Sequence, residues 1–339
     1  INHPGEEKPV IAILDEIQNK EGFPLEYTMD VYSVICLEEV CKVIPVKIYW
    51  NNIGIYQKYE LVKGETLEKY EADLFEPKDY IKLQSILSDS DSPFKDVYIN
   101  EILTVPNEHG DVSVDAISGA TALELDENDT VSGAALTCYT LWHWANGEVV
   151  TIIKDQTGKS VSNEHLKEFI SNKNETYFNI ALSALEQRSI FQNTFVEIIL
   201  KRVLKDDLFL KESIDYLENT PSKTYLKALS QLFFNGSKKH KLLAIRSLNN
   251  SITEIPKSYL DAFSQDFIQL DSFQEVSTLF DLMQNKNPNS SIVINNVLPL
   301  LNSDFLIARR TYWFLNHQNL TSKQQKKLQK FQKKNKERL

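Results

Sequence analysis

From residue 158 onward the chain reads as helix after helix with no strand between them, and that succession limits the folds open to it. Segments such as "SNEHLKEFIS", "TYFNIALSALEQ", "NTFVEIILKRVLK", "LFLKESIDYLEN", "KTYLKALSQLFF", "HKLLAIRSLNN", "FQEVSTLFDLMQ" and "SIVINNVLPLLN" each run roughly three turns between polar or proline-containing breaks. A short amphipathic helix cannot bury its apolar face alone, so a series of them must stack. The expectation for 158–339 is an all-α, solenoid-like domain of the HEAT kind, or an irregular helical domain. The fixed-position signature of a tetratricopeptide repeat is not found.

Residues 31–157 follow a different pattern and predict an α+β domain, preceded by an N-terminal extension over 1–30. "VICLEEVCKVIPVKIYW" and "IGIYQKYELV" carry β-branched and aromatic residues on either side of the turn signal "NNIG", which predicts a hairpin. "FEPKDYIKLQSILSDSDSP" changes period: Tyr80, Leu83 and Leu87 share a helical face, Pro77 suits a first turn, and "SDSDSP" ends it. "GAALTCYTLWHWANG" predicts a second helix, closed by Asn146 and Gly147. The β-branched run in "EVVTIIKDQTG" predicts a return to strand.

Composition narrows the partners. The 339 residues are 42% hydrophobic, enough to build real cores, and carry a formal net charge of −10, which argues against nucleic acid as a general partner because phosphate binding needs a basic field. No stretch reaches the roughly 20 apolar residues of a membrane span. The opening "INHPGEEKPVIAILDE" lacks the features of a signal peptide, and a start at Ile1 fits a trimmed chain from which an export signal has been removed. Cys36, Cys41 and Cys138 show no CxxC spacing; Cys36 and Cys41 fall on opposite faces of an extended segment, so buried thiols are expected unless a turn at "LEEV" brings those two together.

The string most specific for chemistry is "DAISGAT", Asp115 to Thr121. An acidic residue precedes small residues, Gly119 lets the backbone approach a ligand closely, and Thr121 supplies a hydroxyl. Read locally, the same residues also make an ordinary turn.

This string resembles the flavinylation pattern Asp-x-x-Ser/Thr-Gly-Ala-Thr of the FMN-binding domain family, found in the C subunit of sodium-translocating NADH:quinone oxidoreductase and the G subunit of the Rnf complex. Asp115, Ser118, Gly119, Ala120 and Thr121 all match. The resemblance extends loosely over about 120 residues, from the strand Val46 to Trp50, through "DYIKL" with Asp79, Tyr80 and Leu83, to "TLWH" at 140–143. It implies an extracytoplasmic flavoprotein. FMN would be joined through its phosphate to the Thr121 hydroxyl by a separate Mg²⁺-dependent flavin transferase, and the isoalloxazine ring would carry the electrons.

Two departures keep an alternative open. The acidic stretch "ALELDENDTV" separates Thr121 from the next helix, whereas in the family the helix follows the threonine almost directly. An echo of the motif, "DTVSGAA" from Asp129 to Ala135, lies directly before that helix with Ala135 in the threonine's place. The alternative is a flavin-free scaffold or interaction protein of the bacterial envelope.

Other candidates point to packing. His143 sits between two tryptophans, but six scattered histidines without a helical His-x-x-x-His pair give a metal site little basis, and the aromatics are core first and flavin wall second. "ELDENDT" and "SDSDSP" lack the glycine of an EF-hand loop. The stretch Lys323 to Arg338 holds seven lysines and one arginine against one glutamate. It therefore carries +7 and leaves −17 for the rest of the chain. This asymmetry predicts either a solvated last helix or a contact with an acidic surface, a protein partner or a peripheral membrane site.

Overall fold

The computed structural model describes residues 1–34, 42–69, 73–99, 102, 129–270 and 272–339. The chain divides into two compact units, one of Ile1–Phe169 with Asn174–Ala184 and one of Ile170–Lys173 with Leu185–Leu339.

The first unit is built on a four-stranded antiparallel sheet in the order β1 (Leu14–Gln18), β2 (Pro24–Tyr32), β3 (Pro45–Asn51), β4 (Tyr56–Leu61). Strand alternation sets its faces: Tyr27, Met29 and Val31 of β2 and Val46, Ile48 and Trp50 of β3 are buried, while Glu26, Asp30 and Tyr32 face out. The expected β3–β4 hairpin forms. Its turn is held by Asn51, whose Oδ1 accepts from the Ile53 and Ile55 amides, and Gly54 takes the left-handed φ of 79° that the turn requires.

Two expectations are corrected here. The stretch 1–30 is not an extension: it supplies β1 and most of β2, whose pairing with β3 runs from Glu26↔Asn51 to Tyr32↔Pro45. "EVVTIIKDQTG" is not a strand but lies in helix α3 (Glu148–Ser160). Val149, Ile153 and Thr157 are buried at intervals of four while Thr151 and Ile152 are exposed, so helical burial overrides the β preference of Val and Ile.

Helix α1 (Pro77–Ser88) starts with a proline in its first turn, and the Asp79 carboxylate reaches back to accept from the Glu76 amide at 2.8 Å. Helix α2 (Ala135–Asn146) is buried at every position from Thr137 to Ala145. A helix apolar all round must be enclosed, and its polar contacts show how. The Trp50 indole N–H donates to the Ala145 carbonyl at 2.7 Å, the Trp142 indole N–H to the Asp89 carbonyl at 2.8 Å, and the Asn146 amide to the Leu87 carbonyl at 3.0 Å. The carbonyls of Leu87 and Ala145 lie in last helical turns, which leave acceptors without a helical donor. The Thr157 hydroxyl of α3 donates to the Asn52 carbonyl at 2.6 Å and so accepts from the Tyr27 hydroxyl at 2.9 Å. Helices α4 (Asn163–Ser171) and α5 (Glu175–Gln187) follow, and Tyr177 donates to the Asn52 side chain at 3.0 Å.

The second unit is all-α, as expected, although 158–169 and 174–184, expected to belong to it, group with the first unit. Its helices follow one another in pairs: α6 (Asn193–Lys205) with α7 (Leu210–Glu218), α8 (Ser222–Asn235) with α9 (Lys238–Asn250), α10 (Lys257–Ser264) with α11 (Phe273–Lys286), and α12 (Ser291–Val297) with α13 (Phe305–Asn316), the last two joined through the 3-10 turn Leu298–Asn302 on which both pack, followed by α14 (Ser322–Lys334). Helices also pack on the one two places along: α6 on α8, α7 on α9, α9 on α11, α10 on α12 and α11 on α13. The first helices of successive pairs begin at Asn193, Ser222, Lys257 and Ser291, so the steps are 29, 35 and 34 residues. This two-layer stacking is solenoid-like, and the uneven step explains why no fixed repeat signature is readable. Ring ladders run through it: Phe233 stacks on Phe263 at 4.2 Å, and Phe280 lies 4.6 Å from both Phe267 and Phe314.

Replacing Trp50 with Phe keeps the ring in the core but leaves the buried Ala145 carbonyl without its donor. Trp50→Phe is expected to cost about 1–3 kcal/mol of stability, read as a lower urea midpoint with helical circular dichroism unchanged before the transition.

Candidate functional site

Asp115, Ser118, Gly119, Ala120 and Thr121 lie outside the described residues, as do Cys36 and Cys41. The described neighbourhood that bears on the motif is the start of α2, where the echo Asp129–Ala135 ends. There the chain makes a tight turn: Gly133 has a left-handed φ of 73°, the Ala134 amide donates to the Val131 carbonyl at 2.9 Å, and Ala135 is the first helical residue. The place directly before the helix is therefore held by the echo, whose last side chain is a methyl group without a hydroxyl to esterify.

The three described segments that carry the family resemblance meet in one core. Val46, Ile48 and Trp50, Leu83 of "DYIKL", and Leu141 and Trp142 of "TLWH" belong to a single cluster of buried residues. Their polar members serve structure. Asp79 caps α1 and pairs with Lys69 at 2.7 Å, a contact that holds its carboxyl below the usual carboxylate range, and Tyr80 accepts from the Leu67 amide at 3.2 Å.

Around α2 lies a nest of rings and imidazoles. Tyr139 and His143 are 4.3 Å apart, Trp142 and His143 4.9 Å, His3 and Trp144 4.6 Å, and His3 and His143 5.7 Å, with Phe94 against Tyr139 at 6.0 Å. His3 Nδ1 accepts from the Gly5 amide, so its Nε2 carries the proton that goes to the Thr140 carbonyl at 3.0 Å. His143 has a backbone hydrogen bond with Phe94, while its Nε2 is buried without a hydrogen-bond partner among the described residues. Burial and the neighbouring His3 push His143 down to about 4, and burial lowers His3 as well. Cys138, buried beside the Val131 amide, is pushed up to about 12 by burial, so its thiol stays protonated and unreactive.

This nest is not built as a flavin cradle. Phe94, Tyr139, Trp142 and Trp144 are all buried and spend their faces and edges on one another and on the sheet, which leaves no ring of this nest open for a flavin to stack on. At the start of α2, then, there is neither a hydroxyl in the threonine's place nor an open ring in this nest. Among the described residues no group of three or more His, Cys, Asp or Glu is placed to hold a metal ion, and no helix is long and apolar enough to cross a membrane.

Sequence reasoning did not find His3, which lies far from α2 in the chain but packs on it; an isolated histidine near the start carries no periodic signal. A second feature it did not find is an open groove of about 490 Å³ lined by Lys238, Lys239, Leu242, Leu243, Arg246 and Gln274. Two of its cations are already paired, Lys239 with Asp207 at 3.1 Å and Lys238 with Glu275 at 3.9 Å. No family model, curated protein or solved structure matches this chain.

The depressed imidazoles carry a pH dependence. At pH above the ordinary value of 6.5 both histidines are neutral whether the chain is folded or unfolded, so their burial costs nothing extra. Below it the unfolded chain takes up protons that the folded chain refuses until about pH 4, so stability falls as pH drops through that window. Urea unfolding compared at neutral pH and near the lower end of the window should show this loss in the native chain and a shallower loss in His143→Gln. Equal slopes would show that His143 is not buried neutral.

Proposed function

We propose that this chain is an interaction protein, with the α+β unit as its structural platform and the stacked helices as its binding surface. The observation that carries this reading is the repeated helix pair of the second unit. Successive pairs are bolted together by side chains from one repeat to the next: His240 donates to the Val203 carbonyl at 2.8 Å, Tyr259 to the Leu226 carbonyl at 2.7 Å, Asn287 and Ser290 to the Asp261 carboxylate at 2.8 and 2.6 Å, and Arg310 to the Asp281 carboxylate at 2.7 Å. Rigid stacking of this kind keeps outward helix faces in fixed relation, which is how solenoids recognise extended partners. The start of α2 agrees, because its turn and ring nest are committed to packing. The family resemblance implies a working place outside the cytoplasm, so an envelope protein is the expected partner.

One sequence observation favours a second reading. The motif Asp115–Thr121 is complete, and an extracytoplasmic flavoprotein with FMN esterified to Thr121 by a flavin transferase, docked through its helices, would use it.

Intact mass separates the two. Protein isolated from its native host is expected to be colourless after denaturation and to have the unmodified chain mass. A mass greater by one FMN less one water, lost in Thr121→Ala, would overturn the first reading in favour of the flavoprotein.

A further inference from the structure

The last helix of the second unit carries a surface that its packing does not explain. Helix α14 is set by a capping box in which the Thr321 side chain accepts from the Gln324 amide and the Gln324 side chain accepts from the Thr321 amide at 2.8 Å. It docks by one edge. Leu328 is its buried residue, Phe331 meets Tyr312 at 5.8 Å, and Gln324 donates to Asn295 at 2.9 Å. These residues recur at the three- and four-residue spacing of one helical face.

The opposite face is unlike the rest of the molecule. At ~100° per residue, Lys323, Lys326, Lys327, Lys330, Lys333 and Lys334 fall within an arc of about 120° centred nearly opposite Leu328, and no other residue of the helix falls in that arc. All six are exposed, and among the described residues no carboxylate pairs with any of them. Gln325, Gln329 and Gln332 flank the arc instead of interrupting it. Beside the helix, the guanidiniums of Arg338 and Arg309 both lie on the Phe305 ring, at 3.6 and 5.6 Å, and Arg309 also covers Trp313, which is 40% exposed. From Phe305 to Leu339 the only acidic residue is Glu337.

We propose that this face is a docking site for an anionic lipid surface, which the six lysines of α14 meet side-on. A straight stripe about 18 Å long suits a plane of fixed negative charge, since each lysine can reach its own headgroup while the apolar edge stays in the protein. The charge balance of the chain favours a membrane over a nucleic acid. With +7 in Lys323–Arg338 and −17 elsewhere, the positive charge is confined to one short helix and the residues just after it, which is enough for a row of headgroups but little for a long polyanion, whose phosphates the net −10 of the chain repels. The stripe also presents no aromatic residue on which bases could stack. This deepens the interaction-protein reading by naming one partner, and it fails separately from it: a lost membrane contact leaves the mass measurement and the protein-binding faces untouched.

The test is co-sedimentation of the full chain with vesicles of phosphatidylcholine alone and of phosphatidylcholine mixed with phosphatidylglycerol. Binding is expected only to the acidic vesicles and should weaken as salt rises. The triple variant Lys326→Gln, Lys330→Gln, Lys333→Gln, which removes three charges at exposed helical positions, should lower acidic-vesicle affinity about 100-fold. Removing three exposed lysines elsewhere, Lys211→Gln, Lys223→Gln and Lys257→Gln, should leave it nearly unchanged. Circular dichroism of both variants controls for folding, and the salt titration of the native chain stands without them. Equal binding to both vesicle types, or equal losses in both variants, overturns the proposal. A short duplex DNA that binds the chain as tightly as acidic vesicles, with the same lysine dependence, overturns it in favour of a nucleic-acid surface.

Discussion

The first unit depends on enclosing α2. A helix buried on every face cannot sit on the edge of a sheet; it needs cover from all sides, and each cover is a different part of the chain. The sheet supplies Trp50, the residues after α1 supply the Asp89 carbonyl, and the first residues supply His3. Each contact pairs a polar group that would otherwise be buried unmet, so the enclosure is specified by hydrogen bonds as well as by apolar area. His143 Nε2 stands outside this accounting, and its imidazole is held neutral by the same burial.

That dependence explains what could be read from sequence and what could not. Helices α1 and α2 and the β3–β4 hairpin were readable because local period, turn residues and stops agree within each segment. The β2 strand carried a readable signal too, Tyr27, Met29 and Val31 alternating with polar residues after the turn residues Asn19 and Gly22, but β1 before that turn has no pattern to pair with it, so the stretch passes for an extension. Strand β1, "LDEIQ", has no such signal: its residues are partly or wholly exposed, and it is a strand because β2 offers an edge to pair with. Helix α3 was misread because "VVTII" is β-branched, and only the buried spacing of Val149, Ile153 and Thr157 reveals the helix. For the candidate site, the motif residues fall outside the described chain, while the echo, a weaker match, is the copy that sits at the helix start.

In the second unit the repeat is a matter of contacts more than of sequence. The uneven steps blur any periodic signature, yet each pair is hydrogen-bonded to the one before it, at different positions each time. His240 illustrates the economy: Nδ1 completes the cap of its own helix with Ser237, and the opposite nitrogen donates to a carbonyl at the end of α6. A histidine three residues after a serine reads in sequence as an ordinary helix start. Its reach into the preceding repeat appears only when the helices are stacked.

Burial keeps polar side chains neutral or paired in both units. In the first unit Cys138 stays a thiol, His143 stays neutral, and Tyr27, Tyr56 and Tyr59 are pushed up by desolvation; in the second, Tyr216, Tyr225 and Tyr259 are pushed up in the same way. Groups tuned in this direction stabilise a core and are poorly placed to exchange protons near neutral pH. On α14, by contrast, the charges lie outside, where a lysine row costs little to solvate and retains its full field toward an approaching surface. Recognition in this chain is therefore better sought on exposed helix faces than inside the α+β core, and the sequence most specific for chemistry, Asp115–Thr121, has to act, if it carries FMN, without the help of the rings packed around α2.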